Sequence, residues 1–138
     1  MVDIKELIKI AIDNINYSYA PYSGFNVSAA LETSTGEIFT GVNIENAAYT
    51  PTNCAERTAV FKAVSEGFKE FRRIAVVGGA NSSIEEYVTP CGVCRQVLVE
   101  FTNPKEFEVI IAKSEDEYMV YKLEELLPRS FGPNDLEK

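Results

Sequence analysis

The chain has 138 residues, the size of one domain, and we expect a single domain over 1–138. Its formal net charge is −8, with 13 basic against 21 acidic residues. This balance disfavours a nucleic-acid partner, because such proteins neutralise phosphates with Lys and Arg. No apolar run reaches the roughly 18 residues of a membrane span, and charges interrupt the segment 1–17. We therefore expect no membrane association, no signal peptide and a cytoplasmic location.

Hydrophobic periodicity predicts nine elements in the order αββαβαββα. In chain order they are a helix at 3–16, strands at 25–32 and 37–43, a helix at 54–66, a strand at 74–77, a helix at 91–101, strands at 107–112 and 117–121, and a helix at 122–127. A loop is predicted over 78–88, beginning at the pair Gly78-Gly79. The order suggests an α/β fold with one mixed sheet and helices packed on it.

Three cysteines and no histidine mean that any metal site must use Cys and carboxylate ligands. Cys91 and Cys94 lie three residues apart at the start of a predicted helix, so both sulfurs can face one ion as thiolates. Cys54 begins another predicted helix, with Asn53 as its candidate N-cap. Three thiolates leave the fourth position of a tetrahedral Zn²⁺ open, as in catalytic sites. Taken alone, the CxxC also fits a redox pair or half of a structural zinc site.

Glu56 lies two residues after Cys54, in the first turn of the same predicted helix. An acid at this position also favours the helix dipole without any further role. Beside an open zinc site it fits the general acid/base of the zinc deaminases, whose signature ends in P-C-x-x-C. Three thiolates and Zn²⁺ carry a net negative charge, and Arg57, with Arg95 as the alternative, is the candidate cation to offset it.

Five segments of the chain resemble the small cytidine deaminases. They are 19–25 (YAPYSGF), 43–49 (NIENAAY), 54–59 (CAERTA), 90–96 (PCGVCRQ) and 126–131 (LLPRSF). The three middle segments are the most specific, and the match runs over nearly the whole chain. Together they are far more specific than the CxxC alone.

The resemblance implies a three-layer α/β/α sandwich on a five-stranded mixed sheet, and usually a homotetramer whose active sites are completed by neighbouring subunits. It implies that Cys54, Cys91 and Cys94 hold one Zn²⁺ per chain and that Glu56 shuttles protons. It further implies that Asn43 and Glu45 bind the ribose 3′-hydroxyl, and that the backbone at Ala55 and Cys91 positions the pyrimidine with Phe25 near the ring. Arg57 would bond to the ligand thiolates. Phe131 and the loop around Ala48 and Tyr49 would reach a neighbouring subunit's site.

The function expected from this resemblance is hydrolytic deamination of cytidine and deoxycytidine to uridine and deoxyuridine with release of ammonia, a reaction of pyrimidine salvage. Glu56 would pass a proton from the attacking water to N3 and a second proton to the departing amine. The partner would be a small nucleoside, with neither nucleic acid nor membrane involved.

Three alternatives remain at this stage. A deaminase of the same fold could act on another cytosine compound such as blasticidin S, although Glu45 favours a plain nucleoside. A zinc-stabilised binding module would have no use for Glu56 beside an open position. A nucleic-acid editing deaminase is disfavoured by the acidic charge, the absence of His and the short chain.

Overall fold

The computed structural model describes residues 2–136, in which four α-helices and five β-strands follow the predicted order. In chain order they are α1 (Ile4–Asn14), β1 (Phe25–Thr33), β2 (Ile38–Val42), α2 (Ala55–Ser65), β3 (Phe71–Ala80), α3 (Gly92–Phe101), β4 (Glu108–Ala112), β5 (Tyr118–Lys122) and α4 (Leu123–Leu126). Short 3₁₀ turns lie at Ile15–Tyr17 and Pro133–Asp135. Within the described range, none of the helices has the length and apolar character that crossing a membrane requires.

The five strands form one mixed sheet in the order β2-β1-β3-β4-β5. β1 pairs antiparallel with β2 and β3, β3 and β4 run parallel, and β5 returns antiparallel along β4. A parallel pair needs a crossover connection, which α3 supplies between β3 and β4. The mixed five-stranded sheet agrees with the architecture expected from the sequence.

Helix α1 covers one face of this sheet. Asp3 caps the helix by accepting a hydrogen bond from the Glu6 backbone N–H at 2.8 Å. Its buried stripe consists of Leu7, Ile8 and Ala11, and each large side chain of this kind contributes about 1.5–3 kcal/mol on burial. The stripe packs on the inward residues of the central strands, which are Ala30, Ala75, Val77, Ile110 and Ala112.

Helices α2 and α3 cover the opposite face. Helix α2 presents small residues at every fourth position, Ala55, Ala59 and Ala63, and therefore lies close to the strands. Gly41 in β2 permits this approach, because a Cβ there would lie 2.4 Å from the carbonyl oxygen of Ala55. Helix α3 adds Leu98 to the same core. With helices on both faces, the fold is the expected three-layer α/β/α sandwich.

Strand β3 is longer than the sequence pattern predicted. The prediction placed a strand only at 74–77 and a loop from Gly78 onward, but β3 continues to Ala80 and pairs there with the start of β1. Glycine usually weakens a strand, and here it marks a close approach of two backbones. A Cβ at Gly79 would lie 1.9 Å from the carbonyl oxygen of Ser83, so the returning chain requires glycine at this position.

Glu32 and Arg73 form a buried ion pair between β1 and β3, on the face that α1 covers. The Nε of Arg73 donates to Oε1 of Glu32 at 2.6 Å, and its Nη2 donates to the carbonyl oxygen of Val2 at 2.5 Å. Removing one partner of a buried pair typically costs about 3–5 kcal/mol, because the other charge is left uncompensated. The pair therefore anchors the start of the chain to the centre of the sheet.

Candidate active site

The three cysteines lie where α2 and α3 begin. Cys54 is the N-cap residue of α2, and Cys91 is the N-cap residue of α3, where its sulfur accepts a hydrogen bond from the Cys94 N–H at 3.4 Å. Asn53 is therefore not the cap that the sequence suggested. Its side-chain amide instead donates to the Thr58 hydroxyl at 3.2 Å. The positive ends of both helices point at the same sulfur cluster and favour thiolate there.

The sulfur cluster has the dimensions of a zinc site. The Sγ atoms of Cys54 and Cys91 are 3.7 Å apart, and all three sulfurs lie within 4.8 Å of one another. A tetrahedral zinc with Zn–S bonds of about 2.3 Å separates two of its sulfur ligands by about 3.8 Å. Within 2–136, these three cysteines form the group of His, Cys, Asp or Glu side chains that could hold a metal ion, which is one ligand fewer than a tetrahedral ion takes. The residues present therefore fit Zn²⁺ bound at Cys54, Cys91 and Cys94.

Neighbouring groups favour the thiolate form of Cys54. A hydrogen bond from the Cys94 thiol, together with Arg57 and Cys91, lowers the pKa of Cys54 to about 5 even though the side chain is half-buried. The same hydrogen bond and burial raise the pKa of Cys94. Cys54 is thus a thiolate at neutral pH, which is the form that binds zinc.

Glu56 lies in the first turn of α2, with only 4% of the residue exposed. Burial raises the pKa of Glu56 to about 7, and the charge of the Cys54 thiolate acts in the same direction. A carboxyl group with such a pKa can take up and return a proton near neutral pH, as a general acid/base must.

Arg57 is the cation that contacts a ligand sulfur. Its Nη2 donates to Sγ of Cys54 at 3.1 Å, and its buried Nε has no hydrogen-bond partner among residues 2–136. The alternative, Arg95, bonds elsewhere: its Nε donates to the carbonyl oxygen of Pro90 at 2.7 Å and its Nη1 to that of Leu126 at 2.7 Å. Arg95 therefore links the segment before α3 to the end of α4.

Asn43 follows β2, and its side-chain amide is held by three neighbours. Its Oδ1 accepts hydrogen bonds from the Val27 N–H at 2.9 Å and from the Ser18 hydroxyl, while its Nδ2 donates to the carbonyl oxygen of Phe25 at 2.8 Å. The sequence drew attention to Asn43 only through the family resemblance, and it gave no sign of Ser18. The signal was absent because Ser18 lies 25 positions away in the sequence.

Glu45 is held in a similar way. Its Oε1 accepts hydrogen bonds from the N–H groups of Tyr22 and Ser23 at 2.9 and 3.1 Å, and its Oε2 accepts one from the Ser23 hydroxyl. These bonds, that from the Ser23 side chain first, lower the pKa of Glu45, so its carboxylate remains charged. Ser23 is a second residue that the sequence did not single out.

The remaining candidates lie on the surface or at the helix start. Tyr49 is 71% exposed and Phe131 is 60% exposed, and Phe25 is also exposed at the start of β1. Tyr49 meets Tyr22 edge to face at 6.2 Å, beside a cleft of about 380 Å³ that includes Glu45. Ala55 is fully buried at the first position of α2, where a backbone N–H has no partner within its own helix.

A larger depression of about 560 Å³ lies at the other end of α3, near Phe71, Arg72 and Phe101. It contains none of the candidate site residues. The chemistry is therefore assigned to the sulfur cluster and not to this depression.

Three cysteines that fit a zinc ion at the starts of two helices, with a buried glutamate two residues after one of them, define the class of zinc-dependent deaminases. The family model of the cytidine and deoxycytidylate deaminase zinc-binding region matches residues 1–111. The chain belongs to the cytidine and deoxycytidylate deaminase family.

Individual relatives agree with this assignment. The chain is similar to a probable cytidine deaminase of Dictyostelium discoideum, with 45% identity over 134 residues, 97% of this chain and 87% of the relative. It is 43% identical over 135 residues to a cytidine deaminase of Sporosarcina psychrophila, covering 98% and 96% of the two chains. The solved cytidine deaminase from Burkholderia pseudomallei matches with a TM-score of 0.85 at 42% identity, over 94% of this chain and 100% of that one.

One relative bears on the choice of substrate. A blasticidin-S deaminase of Bacillus cereus is 32% identical over 133 residues, which cover 94% of this chain and 92% of the relative. Relatives of this chain are thus named as deaminases of different compounds, cytidine and blasticidin S.

Proposed function

We propose that the chain deaminates cytidine and deoxycytidine by hydrolysis, giving uridine and deoxyuridine with release of ammonia, as a reaction of pyrimidine salvage. The observation that carries the proposal is the sulfur cluster of Cys54, Cys91 and Cys94 together with the buried carboxylate of Glu56, which is near enough for the Cys54 thiolate to raise its pKa. The names of the relatives at 43% and 45% identity support the choice of cytidine. Cys54, Cys91 and Cys94 would hold one Zn²⁺ per chain, which would supply a water molecule of lowered pKa as the nucleophile at neutral pH.

Glu56 moves the protons in this proposal. It takes one proton from the attacking water and delivers it to N3 of the cytosine while the C4–O bond forms. It then carries the second proton to the amino group at C4, the C4–N bond breaks, and ammonia leaves. General acid–base catalysis of this kind contributes about 10²–10⁴-fold to a rate. The buried position of Glu56 keeps solvent away from these transfers.

Arg57 offsets the charge of the site. Three thiolates around Zn²⁺ leave a net negative charge, which opposes ionisation of the water. The guanidinium bonds directly to Sγ of Cys54 and withdraws charge from it. Arg57 therefore acts on the metal site and not on the nucleoside.

The substrate is proposed to lie between the helix starts and the segments 18–27 and 43–45. Asn43 and Glu45 bind the 3′-hydroxyl of the sugar, the backbone at Ala55 and Cys91 positions the pyrimidine, and Phe25 packs near the ring. The hydrogen bonds that already hold Asn43 and Glu45 support this assignment, because they leave both side chains fixed in position.

The chain is proposed to work as a homotetramer in which neighbouring subunits complete each active site. Support comes from Tyr49 and Phe131, large aromatic residues that are mostly exposed on the single chain. They are proposed to reach a neighbouring subunit's site. Light scattering should then give a mass near four times 15.3 kDa, and a mass of 15.3 kDa would refute the tetramer. The reducing cytoplasm is the proposed location, because the three cysteines must stay free of disulfides to bind zinc.

The test of the reaction is the loss of cytidine's ultraviolet absorbance with purified protein, run beside a zinc determination. Conversion of cytidine to uridine with about one zinc per chain is the expected result. Zinc without turnover of cytidine or deoxycytidine would refute the substrate while keeping the metal site. Absence of both zinc and turnover would refute the site as well.

A second substrate, blasticidin S, is favoured by the Bacillus cereus relative. Direct comparison of kcat/KM on both compounds separates the two functions. Under the main proposal cytidine is the better substrate, because Glu45 is arranged to accept a hydrogen bond from a sugar hydroxyl.

A further inference from the structure

The two side chains proposed to hold the sugar are themselves held by one segment of the chain, 18–27. Tyr19 fixes this segment against the backbone, since its N–H donates to the carbonyl oxygen of Asn43 at 3.0 Å and its own carbonyl accepts from the Glu45 N–H at 2.9 Å. The side chains of Asn43 and Glu45, two residues apart, then meet donors and acceptors of the same segment. A ligand can use only the hydrogen-bond donors and acceptors of Asn43 and Glu45 that these bonds leave unoccupied.

Asn43 retains a single hydrogen-bonding position. An amide oxygen has two lone pairs, and both are used, one by the Ser18 hydroxyl and one by the Val27 N–H. An amide nitrogen has two hydrogens, and one is used by the carbonyl oxygen of Phe25. The side chain can therefore offer a ligand one N–H donor and no acceptor.

Glu45 retains the opposite capacity. A carboxylate has about four lone-pair positions, of which Oε1 uses two for the N–H groups of Tyr22 and Ser23. Oε2 uses one for the Ser23 hydroxyl and keeps one. The carboxylate can therefore offer a ligand one acceptor position on Oε2, and it has no proton to donate while it is charged.

We propose that Ser18 and Ser23 are positioning residues that set this one-donor, one-acceptor arrangement, an inference that rests on the proposed sugar-binding role of Asn43 and Glu45. The arrangement fits a hydroxyl group, which accepts from Asn43 Nδ2 and donates to Glu45 Oε2 at the same time. It does not fit a group that only accepts, such as fluorine or an ether oxygen. Neither serine needs to touch the substrate.

The serines also connect the sugar site to the base site. The Ser23 hydroxyl accepts a hydrogen bond from the Phe25 N–H at 3.0 Å, and Asn43 holds the carbonyl oxygen of the same residue. The backbone of Phe25 is thus fixed from both sides. Phe25 also pairs with Ala80 across β1 and β3, so the sheet keeps its position when a serine is lost, and the main effect should fall on recognition of the hydroxyl.

The experiment compares S18A and S23A with the wild type on deoxycytidine and on 2′,3′-dideoxycytidine, which lacks the 3′-hydroxyl. Each variant is expected to lower kcat/KM for deoxycytidine about three- to tenfold, chiefly through KM, which is the size of one lost hydrogen bond. With dideoxycytidine the loss should shrink to within about twofold, because no hydroxyl is there to be recognised. S18T and S23T keep the hydroxyl, so they should restore most of the wild type's preference for deoxycytidine over dideoxycytidine.

The matched control is S65A, which removes a serine hydroxyl bonded to a carbonyl of α2 at 2.7 Å, at the far end of that helix. It should change neither substrate's kinetics. The wild type is also measured on 3′-fluoro-2′,3′-dideoxycytidine, which should be as poor a substrate as dideoxycytidine. This comparison tests the arrangement even where an alanine variant fails to fold.

The outcomes separate the inference from the proposed function. Equal losses on deoxycytidine and dideoxycytidine in S18A and S23A would overturn the positioning role, as would a fluoro analogue that matches deoxycytidine. A wild type that treats deoxycytidine and dideoxycytidine alike would instead overturn the sugar-binding role of Asn43 and Glu45. A wild type with no turnover of any cytosine nucleoside would overturn the proposed function itself.

Discussion

Glu32 and Glu56 are both buried acids in the described part of the chain, and their surroundings give them different properties. Glu32 is fully buried but lies against the Arg73 guanidinium, which keeps its charge compensated within the sheet. Burial and the Cys54 thiolate instead raise the pKa of Glu56 to about 7. The first acid stabilises the fold, and the second is suited to exchanging protons.

Replacement of Glu56 by Gln should separate metal binding from turnover. The amide has nearly the same shape but cannot accept and return a proton, so we expect full zinc occupancy and a loss in kcat of about 10²–10⁴-fold or more. Absorbance assays and a zinc determination on the same sample measure both quantities. E66Q, on an exposed residue at the end of the same helix, is the control and should be unaffected. A normal rate in E56Q would refute the proton-shuttle role.

Replacement of Cys94 by Ala should remove the zinc. Two sulfur ligands are too few to hold a catalytic zinc. Loss of the zinc also removes the link that it makes between the starts of α2 and α3. We expect C94A to contain no zinc, to be inactive, and to unfold at about the same temperature as wild-type protein stripped of zinc. Full zinc occupancy in C94A would contradict the ligand assignment.

At the scale of elements, local patterns were enough to predict the helices and strands but not all of their extents. Apolar periodicity and Gly or Pro stops depend on neighbouring residues, so the order αββαβαββα was correct. The predicted end of β3 was wrong because a Gly-Gly pair usually indicates a loop. Here Gly79 instead allows a close contact with the backbone of Ser83, and Gly78 lies close to the carbonyl oxygen of Asn26. The ligand cysteines were predictable from spacing, whereas Ser18 and Ser23 depend on two distant segments meeting.

The close packing of α2 on β2 gives a prediction for Gly41. In G41A the new Cβ would meet backbone atoms of α2 at 2.4 and 2.5 Å, so the helix must move away from the sheet. We expect a loss of stability of about 2–4 kcal/mol and weaker zinc binding, because Cys54 moves with the helix. Thermal unfolding and zinc titration measure the two effects.

G92A is the matched control for stability. A Cβ at Gly92 would meet nothing within 4 Å, and alanine is the better helix former. This variant should be at least as stable as the wild type. An equally stable G41A would show that the contact between α2 and β2 is not as tight as described.

At the scale of the whole molecule, the metal joins only one of the two helical layers. All three ligands belong to the starts of α2 and α3, while α1 on the opposite face is held by its own core and by the contact from Arg73 to Val2. The stability of the layer formed by α2 and α3 should therefore depend on the metal more than that of any other part of the fold.

Removal of zinc by a chelator should lower the melting temperature by roughly 10 °C, because binding to the folded state alone adds a few kcal/mol of stability. Readdition of Zn²⁺ should restore the original value. Hydrogen exchange should increase first at the starts of α2 and α3 and later in α1. C94A, which has no zinc to lose, is the control, and a wild-type melting temperature insensitive to the chelator would contradict the prediction.

The segments proposed to do the chemistry are separate along the chain from those proposed to recognise the sugar. The metal ligands and Glu56 come from the starts of two helices, whereas the residues proposed to bind the sugar come from 43–45 and are held in position by 18–27. Substitutions in the second pair of segments can therefore change which compounds enter the site without disturbing the metal. This division makes residues 18–27 the place to begin when redesigning this protein for nucleosides with modified sugars.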